Sequence, residues 1–506
     1  MGCVCVIAAT LTGCATVDPS DEEARARALI EEATGVDRLA PYDVSGEAPN
    51  PFAGNLPAPM FLDGSPALDI EEAVRIALTH NPELLAKVAE IGIAKADWVR
   101  SRWISNPSLS ATALFPSGGG TVGLGGELAI EILDLWRLPI RREIADSELE
   151  QAILELAEFA RRLSLETRAA FIAALEAEST LALQHRSVEL ARELVDLANV
   201  RREAGATTEL DTSIANTEWR RSEVAALEAE LAAAEARFNL ERLSCRSLRN
   251  RDLNALLPAS PQALPSAHEL IHAAYDQRWD LRITELRLEA LERTIEAEEW
   301  ARFGLITGGV SAIRDPRRRG ESTELNIGPT LDLELPIFHQ NQPGVAAARF
   351  AFLQAVHKRN DLGNDIAHQV RVAHARYQRY AKIAAQLRDH VLVESQRRVE
   401  LTQQAYEIGE ATSDRVVAAT RELLEAERAE LEARLNLARA YNDLSAATGL
   451  PHNQLGTRPP ADDSTAPTST APSDMSPTET APRDASPTDS TNPERSASSS
   501  ETGDRS

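Results

Sequence analysis

The stretch TELNIGPTLDLELPIF, residues Thr323–Phe338, alternates between apolar and polar side chains. Leu325, Ile327, Leu331, Leu333, Leu335 and Ile337 fall on one side of an extended chain, and Asn326, Thr330, Asp332 and Glu334 on the other. An earlier segment has the same pattern, with Leu128, Ile130 and Ile132 alternating with Glu127, Ala129 and Glu131. Companion strands are expected just before each, so four strands fall at about 106–115, 121–135, 304–314 and 323–338. Two amphipathic hairpins can pack on a globular core. They can also stand in a membrane, apolar side chains toward lipid and Glu127, Glu131, Asp332 and Glu334 toward an aqueous lumen. Four strands are too few to close around water, whereas three copies supply twelve, so the second reading requires a homotrimer.

The rest of the chain reads as helix. Ala, Leu, Glu and Arg dominate its middle, aromatics make up only 4%, and the 506 residues carry a net charge of −25. That charge excludes a basic face for nucleic acid. No apolar run reaches the roughly 18 residues of a membrane-spanning helix, so a bilayer could be crossed only by strands. Between Pro139 and Pro258 there is no proline and Gly205 is the one glycine, which predicts a rod from about Arg142 to Val200. Leu149, Ile153, Leu156, Ala160 and Leu163 repeat at coiled-coil spacing. Leu154, Phe159 and Phe171 broaden that stripe, so the rod needs neighbours on more than one side. A second rod is expected from about Val345 to Tyr406, with return helices at Ser213–Leu243 and Arg415–Ala447.

The two halves are copies of one another. Glu72–Leu84 and Glu269–Leu281 correspond at an offset of 197, as do Trp103 and Trp300, while Gly205 and Gly409 match at 204. The first repeat spans 68–257 and the second 258–450; beyond them a Ser/Thr/Pro-rich tail, 451–506, is too poor in apolar residues to fold. At the other end, residues 1–13 read as an export signal, and Leu11-Thr12-Gly13-Cys14 resembles the lipobox of bacterial lipoproteins, in which Cys14 would carry the lipid (palmitate among its acyl chains). The competing explanation is a chance match in a short apolar run that no Lys or Arg precedes. Residues 14–67 form a Pro-rich lead. Cys245 stands alone and is expected as a small apolar residue at a helix end. The histidines lack metal-ligand spacing, no catalytic constellation emerges, and no cofactor or metal is expected.

Taken together, Ala77–Leu84 (ALTHNPEL), Asn106–Leu109 (NPSL), Leu335–Phe338 (LPIF) and the Gly205, Asp211, Ala215 turn resemble the TolC-type outer-membrane efflux proteins over about Leu68–Leu450. The resemblance implies a mainly α fold with membrane β: a trimer with a twelve-stranded barrel above a long coiled-coil tunnel in the periplasm. It also implies partners, namely a periplasmic adaptor and an inner-membrane pump of RND or ABC type, with the chain anchored in outer-membrane lipid. Its functional residues lie at the periplasmic tip, where Gly205 and Gly409 end the rods. The family places acidic residues six and nine positions beyond that glycine. Here Asp211 fits, but Arg415 stands in the second half, with Asp414 and Glu410 beside it. Asp211 and Arg415 are either an aperture pair or plain solvated charges at helix ends.

Two functions compete: a passive export duct, and a periplasmic helical scaffold lipoprotein without a pore. The strands favour the duct, because a scaffold has no use for carboxylates opposite an apolar row. Cargo, whether drug, metal ion or polypeptide, is not written in the chain.

Overall fold

The computed structural model describes residues 17–36, 67–115, 121–248, 251–254, 264–314, 325–408 and 410–455. The signal segment 1–13, Cys14, most of the lead, the loop around Pro316–Gly320, Gly409 and residues 456–506 of the tail lie outside them.

Each half is built in the same order. In the first, α2 (Ile70–His80) and α3 (Pro82–Ser101) precede β1 (Ser108–Leu114) and β2 (Gly123–Glu131), followed by α4 (Asp134–Glu203) and α5 (Glu209–Ser244). In the second, α6 (Ala267–Gln277) and α7 (Trp279–Ala301) precede β3 (Ile306–Arg314) and β4 (Leu325–Leu333). Then come α8 (Gln342–Gln386), a π turn at Leu387–Val391, α9 (Leu392–Glu407) and α10 (Ser413–Thr448). A leading helix, α1 (Ser20–Thr34), buries Ala26 and Ile30 against the first half.

The duplication is physical as well as textual. Two cores form, one around Leu84, Ile153, Leu156 and Phe171, the other around Leu281, Ile366, Val370 and Leu444. Leu84 and Leu281, 197 apart in sequence, hold equivalent places. Asn81 caps α3 by accepting from the amides of Glu83 and Leu84, so the helix breaks between His80 and Pro82 rather than running on.

The rod α4 has 70 residues, roughly 105 Å at 1.5 Å per residue. It starts eight residues before the expected Arg142, with Pro139 inside it. Pro139 lies in the second turn, where its missing N–H costs a single rung and the fixed φ suits the helix. All five seam residues, Leu149, Ile153, Leu156, Ala160 and Leu163, are buried, as are Leu154, Phe159 and Phe171. Beyond Leu175 only Ala191 and Val195 of this rod are buried. The second rod runs on through a π turn at Leu387–Val391, which the proline-free sequence did not announce. Cys245 does cap α5, but in the left-handed region (φ 51°) with its side chain exposed, not buried as expected.

Near the strands the helices are neighbours in the order α3, α4, α7, α8, and farther away in the order α5, α4, α10, α9. The outer members of each row expose apolar side chains. On α5, Leu210, Val224, Leu231 and Phe238 fall on a seven-residue spacing and are all exposed, as are Leu401, Tyr406 and Ile408 on the opposite edge.

Candidate functional site

The four strands form one antiparallel sheet in sequence order, β1-β2-β3-β4. Its register sorts most side chains between two faces, with Leu114 and Ile313 the apolar exceptions on the polar face and Arg314 the charged one on the apolar face. Ser110 pairs with Glu127, Glu127 with Ser311, Glu131 with Thr307 and Thr307 with Asp332, so one face carries hydroxyls and carboxylates. Leu109 pairs with Leu128, Leu128 with Val310, and Ile306 with Leu333, so the other is apolar. No core covers that apolar face: Leu109 is 78% exposed and Ile327 67%. On the polar face Thr330 Oγ1 donates to Glu127 Oε1 at 2.7 Å, reaching across β3. Gly309 lets β2 and β3 lie close together here, since a Cβ there would sit 2.6 Å from the Leu128 carbonyl oxygen. Glu131 lies 3.7 Å from Arg137, at the strand exit. The sequence alternation runs past the pairing: Glu334 is one residue beyond β4, and its carboxylate accepts the Leu305 amide at 3.2 Å.

Among the described residues, a sheet so divided has two unpaired edges, β1 and β4, each a row of amides and carbonyls without strand partners.

At the far end of the rods the chain reverses twice. Gly205 adopts φ 70°, with its N–H bonded to the Arg202 carbonyl and the Ala206 N–H to the Arg201 carbonyl. That pattern closes a helix with a left-handed residue, which glycine adopts without penalty. Thr208 then caps α5 in a reciprocal box with Asp211. The Asp211 carboxylate accepts from the Thr208 amide at 3.0 Å and from the hydroxyls of Thr207 and Thr208 at 2.7 Å each. The backbone bond from Thr208, then the two hydroxyls, lower its pKa to about 2. All three bonds end on Asp211 Oδ2, and among the described residues no ion pair joins Asp211 to Arg415 within the chain.

The charge pair that does cross the tip is Arg201 with Asp414, at 2.8 and 3.0 Å, tying the end of α4 to the start of α10. Sequence reasoning passed over Arg201. Its signal was the Arg201-Arg202 pair in the last turn before Gly205, where cations suit the helix terminus. In the second turn the Glu410 and Ala411 amides both bond to the Ala405 carbonyl. Arg415 lines a cavity of about 450 Å³ between α9 and α10, with Arg397, Arg398 and Leu401. No group of three metal-ligating side chains occurs among the described residues, and no helix there is long and apolar enough to cross a membrane.

The family profile described as outer membrane efflux protein matches residues 73–245 and 270–450, one match to each half and together well over half the chain. The chain belongs to the outer membrane efflux protein family. Solved structures show the fold of this efflux protein at low identity. The outer membrane protein VceC from Vibrio cholerae is 17% identical, with TM-score 0.61, covering 76% of this chain and 96% of its own. CusC, described in terms of folding and transmembrane channel formation, is 17% identical with TM-score 0.62, covering 80% and 97%. A membrane protein from Pseudomonas aeruginosa is 21% identical with TM-score 0.60, covering 80% and 99%. No curated protein matches the efflux protein in sequence.

Proposed function

We propose that three copies of this efflux protein close around a three-fold axis into a twelve-stranded outer-membrane barrel, continuous with a twelve-helix tunnel in the periplasm. The assembly is a passive duct that docks with a periplasmic adaptor and an inner-membrane pump of RND or ABC type. The observation carrying this reading is the sheet with one polar face, one exposed apolar face and both edges unpaired. Lipid cannot satisfy such edges, and pairing β4 of each copy with β1 of the next removes all of them. The helical rows close the same way. The α5 edge of one copy meets the α8–α9 edge of another, covering the exposed seven-residue stripe with apolar partners.

A lipid on Cys14 fits this placement. Lys95 bonds Glu22 in the first turn of α1 at 2.5 Å, six residues before α3 ends at the strands. The eight residues from Cys14 to Glu22 reach about 26 Å when extended, enough to meet the bilayer. At the tip, the turn built on Gly205 and its counterpart before Ser413 frame the aperture, with Asp211, Glu410 and Arg415 around it and the Arg201–Asp414 pair as its tether. Each exposed pair is worth about 0.2–1 kcal/mol, so three copies bias closure by about 0.6–3 kcal/mol.

Purification in mild detergent from outer membranes should give a trimer by light scattering, with a mature N-terminus lipidated at Cys14 by mass spectrometry. In planar bilayers Asp414→Ala should conduct more than the parent. A monodisperse monomer would overturn the duct and leave the scaffold.

A further inference from the structure

The two strand-to-helix crossings differ in a way the duplication does not require. In the first half β2 ends at Glu131 and α4 begins at Asp134. In the second, β4 ends at Leu333 and α8 begins only at Gln342, leaving an irregular segment, 334–341. Both of its ends are fixed to their own copy. The Glu334 amide donates to the Leu305 carbonyl at 2.9 Å. Asn341 Nδ2 donates to the Glu298 carbonyl and carboxylate at 2.9 and 2.5 Å. Between these pins the chain offers Leu335 and Ile337, each 71% exposed, and Phe338, 97% exposed. Three bare apolar side chains within four residues of a tethered segment call for a partner surface.

Strand order says where that surface is. If β4 pairs antiparallel with β1 of the next copy, residues following Leu333 lie beside residues preceding Ser108. The pleat narrows this further. The apolar face is odd-numbered on both strands, Leu331 and Leu333 on β4, Leu109 and Ala111 on β1, so a continuous lipid face pairs odd with odd. With the strand ends level, Leu333 stands opposite Leu109, and counting on brings Phe338 to the level of Ile104.

Ile104 forms part of the rim of a cavity of about 600 Å³, apolar at Trp103, Ile104 and Ile144 and charged on its other side, where Asp97, Arg100, Arg137, Arg141 and Glu148 line it. Trp103 and Ile104 are themselves exposed. The rim is rigid. Asp134 accepts from the Ser105 amide and hydroxyl at 2.9 and 2.7 Å and from Arg141 at 2.7 Å, and Arg141 in turn donates to the Trp103 carbonyl at 2.9 Å. A preformed cavity with an apolar wall at Trp103 and Ile104 therefore lies where the strand order delivers an exposed apolar plug.

We propose that Leu335–Phe338 is an intersubunit clasp, whose Phe338 seats at the Trp103–Ile104 rim of the cavity in the neighbouring copy. The proposal rests on the trimer, and it adds the contact that locks one barrel wall to the next at the membrane border.

The test is disulfide trapping in the full-length protein with Cys245→Ser, in outer membranes under mild oxidation. Phe338→Cys with Ile104→Cys, and independently Ile337→Cys with Ser105→Cys, should run as covalent trimers on non-reducing gels, while each single cysteine gives none. Leu331→Cys with Ala111→Cys reports the strand seam alone. If the seam pair cross-links and neither clasp pair does, the clasp is wrong and the segment faces lipid, with the trimer standing. If none cross-links, clasp and trimer fall together. In the seam-pair background, Phe338→Ser should keep the cross-link yet lower the temperature at which unlinked trimers dissociate in detergent. An unchanged dissociation temperature also counts against the clasp.

Discussion

Val310 is the fifth of nine residues in β3, and it lies on the apolar face opposite Leu128. Nine residues at about 3.4 Å span about 30 Å, and a strand tilt near 40° leaves about 23 Å along the membrane normal. That matches the height of the apolar band, so Val310 falls at the bilayer midplane. An arginine there costs about 2–4 kcal/mol, and three-fold symmetry raises this to about 6–12 kcal/mol per trimer. Ser311, one residue on, faces the opposite way and pairs with Glu127. An arginine at 311 meets a carboxylate-lined lumen and should assemble normally while shifting the ion selectivity of the pore. The assay compares Val310→Arg with Ser311→Arg for trimer yield in the outer membrane and for urea unfolding in lipid vesicles. Expected is a collapse of trimer for the first and near-parental yield for the second. If both variants assemble equally well, no lipid contacts the apolar face and the barrel is refuted.

Two further outcomes concern stability and the tip. The His452 imidazole is held neutral by desolvation, with Arg168 nearby adding to the effect, and its pKa falls from 6.5 to about 3. The unfolded chain then takes up a proton below pH 6.5 that the folded chain refuses until about pH 3. Stability should therefore fall across that window by at most about 1.4 kcal/mol per pH unit, and His452→Gln should flatten the slope in calorimetry. At the tip, Gly205→Ala strains a backbone at φ 70° where a Cβ would touch nothing within 4 Å, so the cost is conformational alone, about 1–2 kcal/mol. Hydrogen exchange at Ala206–Thr212 should quicken in that variant. In the parent, the protection contributed by Asp211 should be complete above pH 3.8 and fade as pH falls through about 2.

Much of this protein is readable in one dimension because its elements obey short periods. A strand shows its two faces through neighbours two apart, and Glu127, Ser311 and Asp332 emerge on one face once register is known. The buried seam of Leu149, Ile153, Leu156, Ala160 and Leu163 follows from spacing of three and four, and Gly205 follows from the need for positive φ where a rod reverses. Duplication is legible because it repeats residues.

What sequence could not supply depends on which distant segments become neighbours. In sequence Asp211 is only an acid six residues beyond a glycine, and the fold alone shows Thr207 and Thr208 donating to its Oδ2; Arg201 acquires a role only because the start of α10 comes to rest beside the end of α4. The π turn at Leu387–Val391 leaves no mark in composition, since it shifts backbone bonding by one residue without needing proline or glycine. Cys245 reads as a small apolar residue at a helix end, and the end is where it sits, yet its left-handed backbone there turns it outward. Above all, the open edges at β1 and β4 are a fact of tertiary pairing. Alternation specifies two faces for every strand, but backbone amides and carbonyls are alike at every residue, so only the folded sheet determines which rows of them are left without partners.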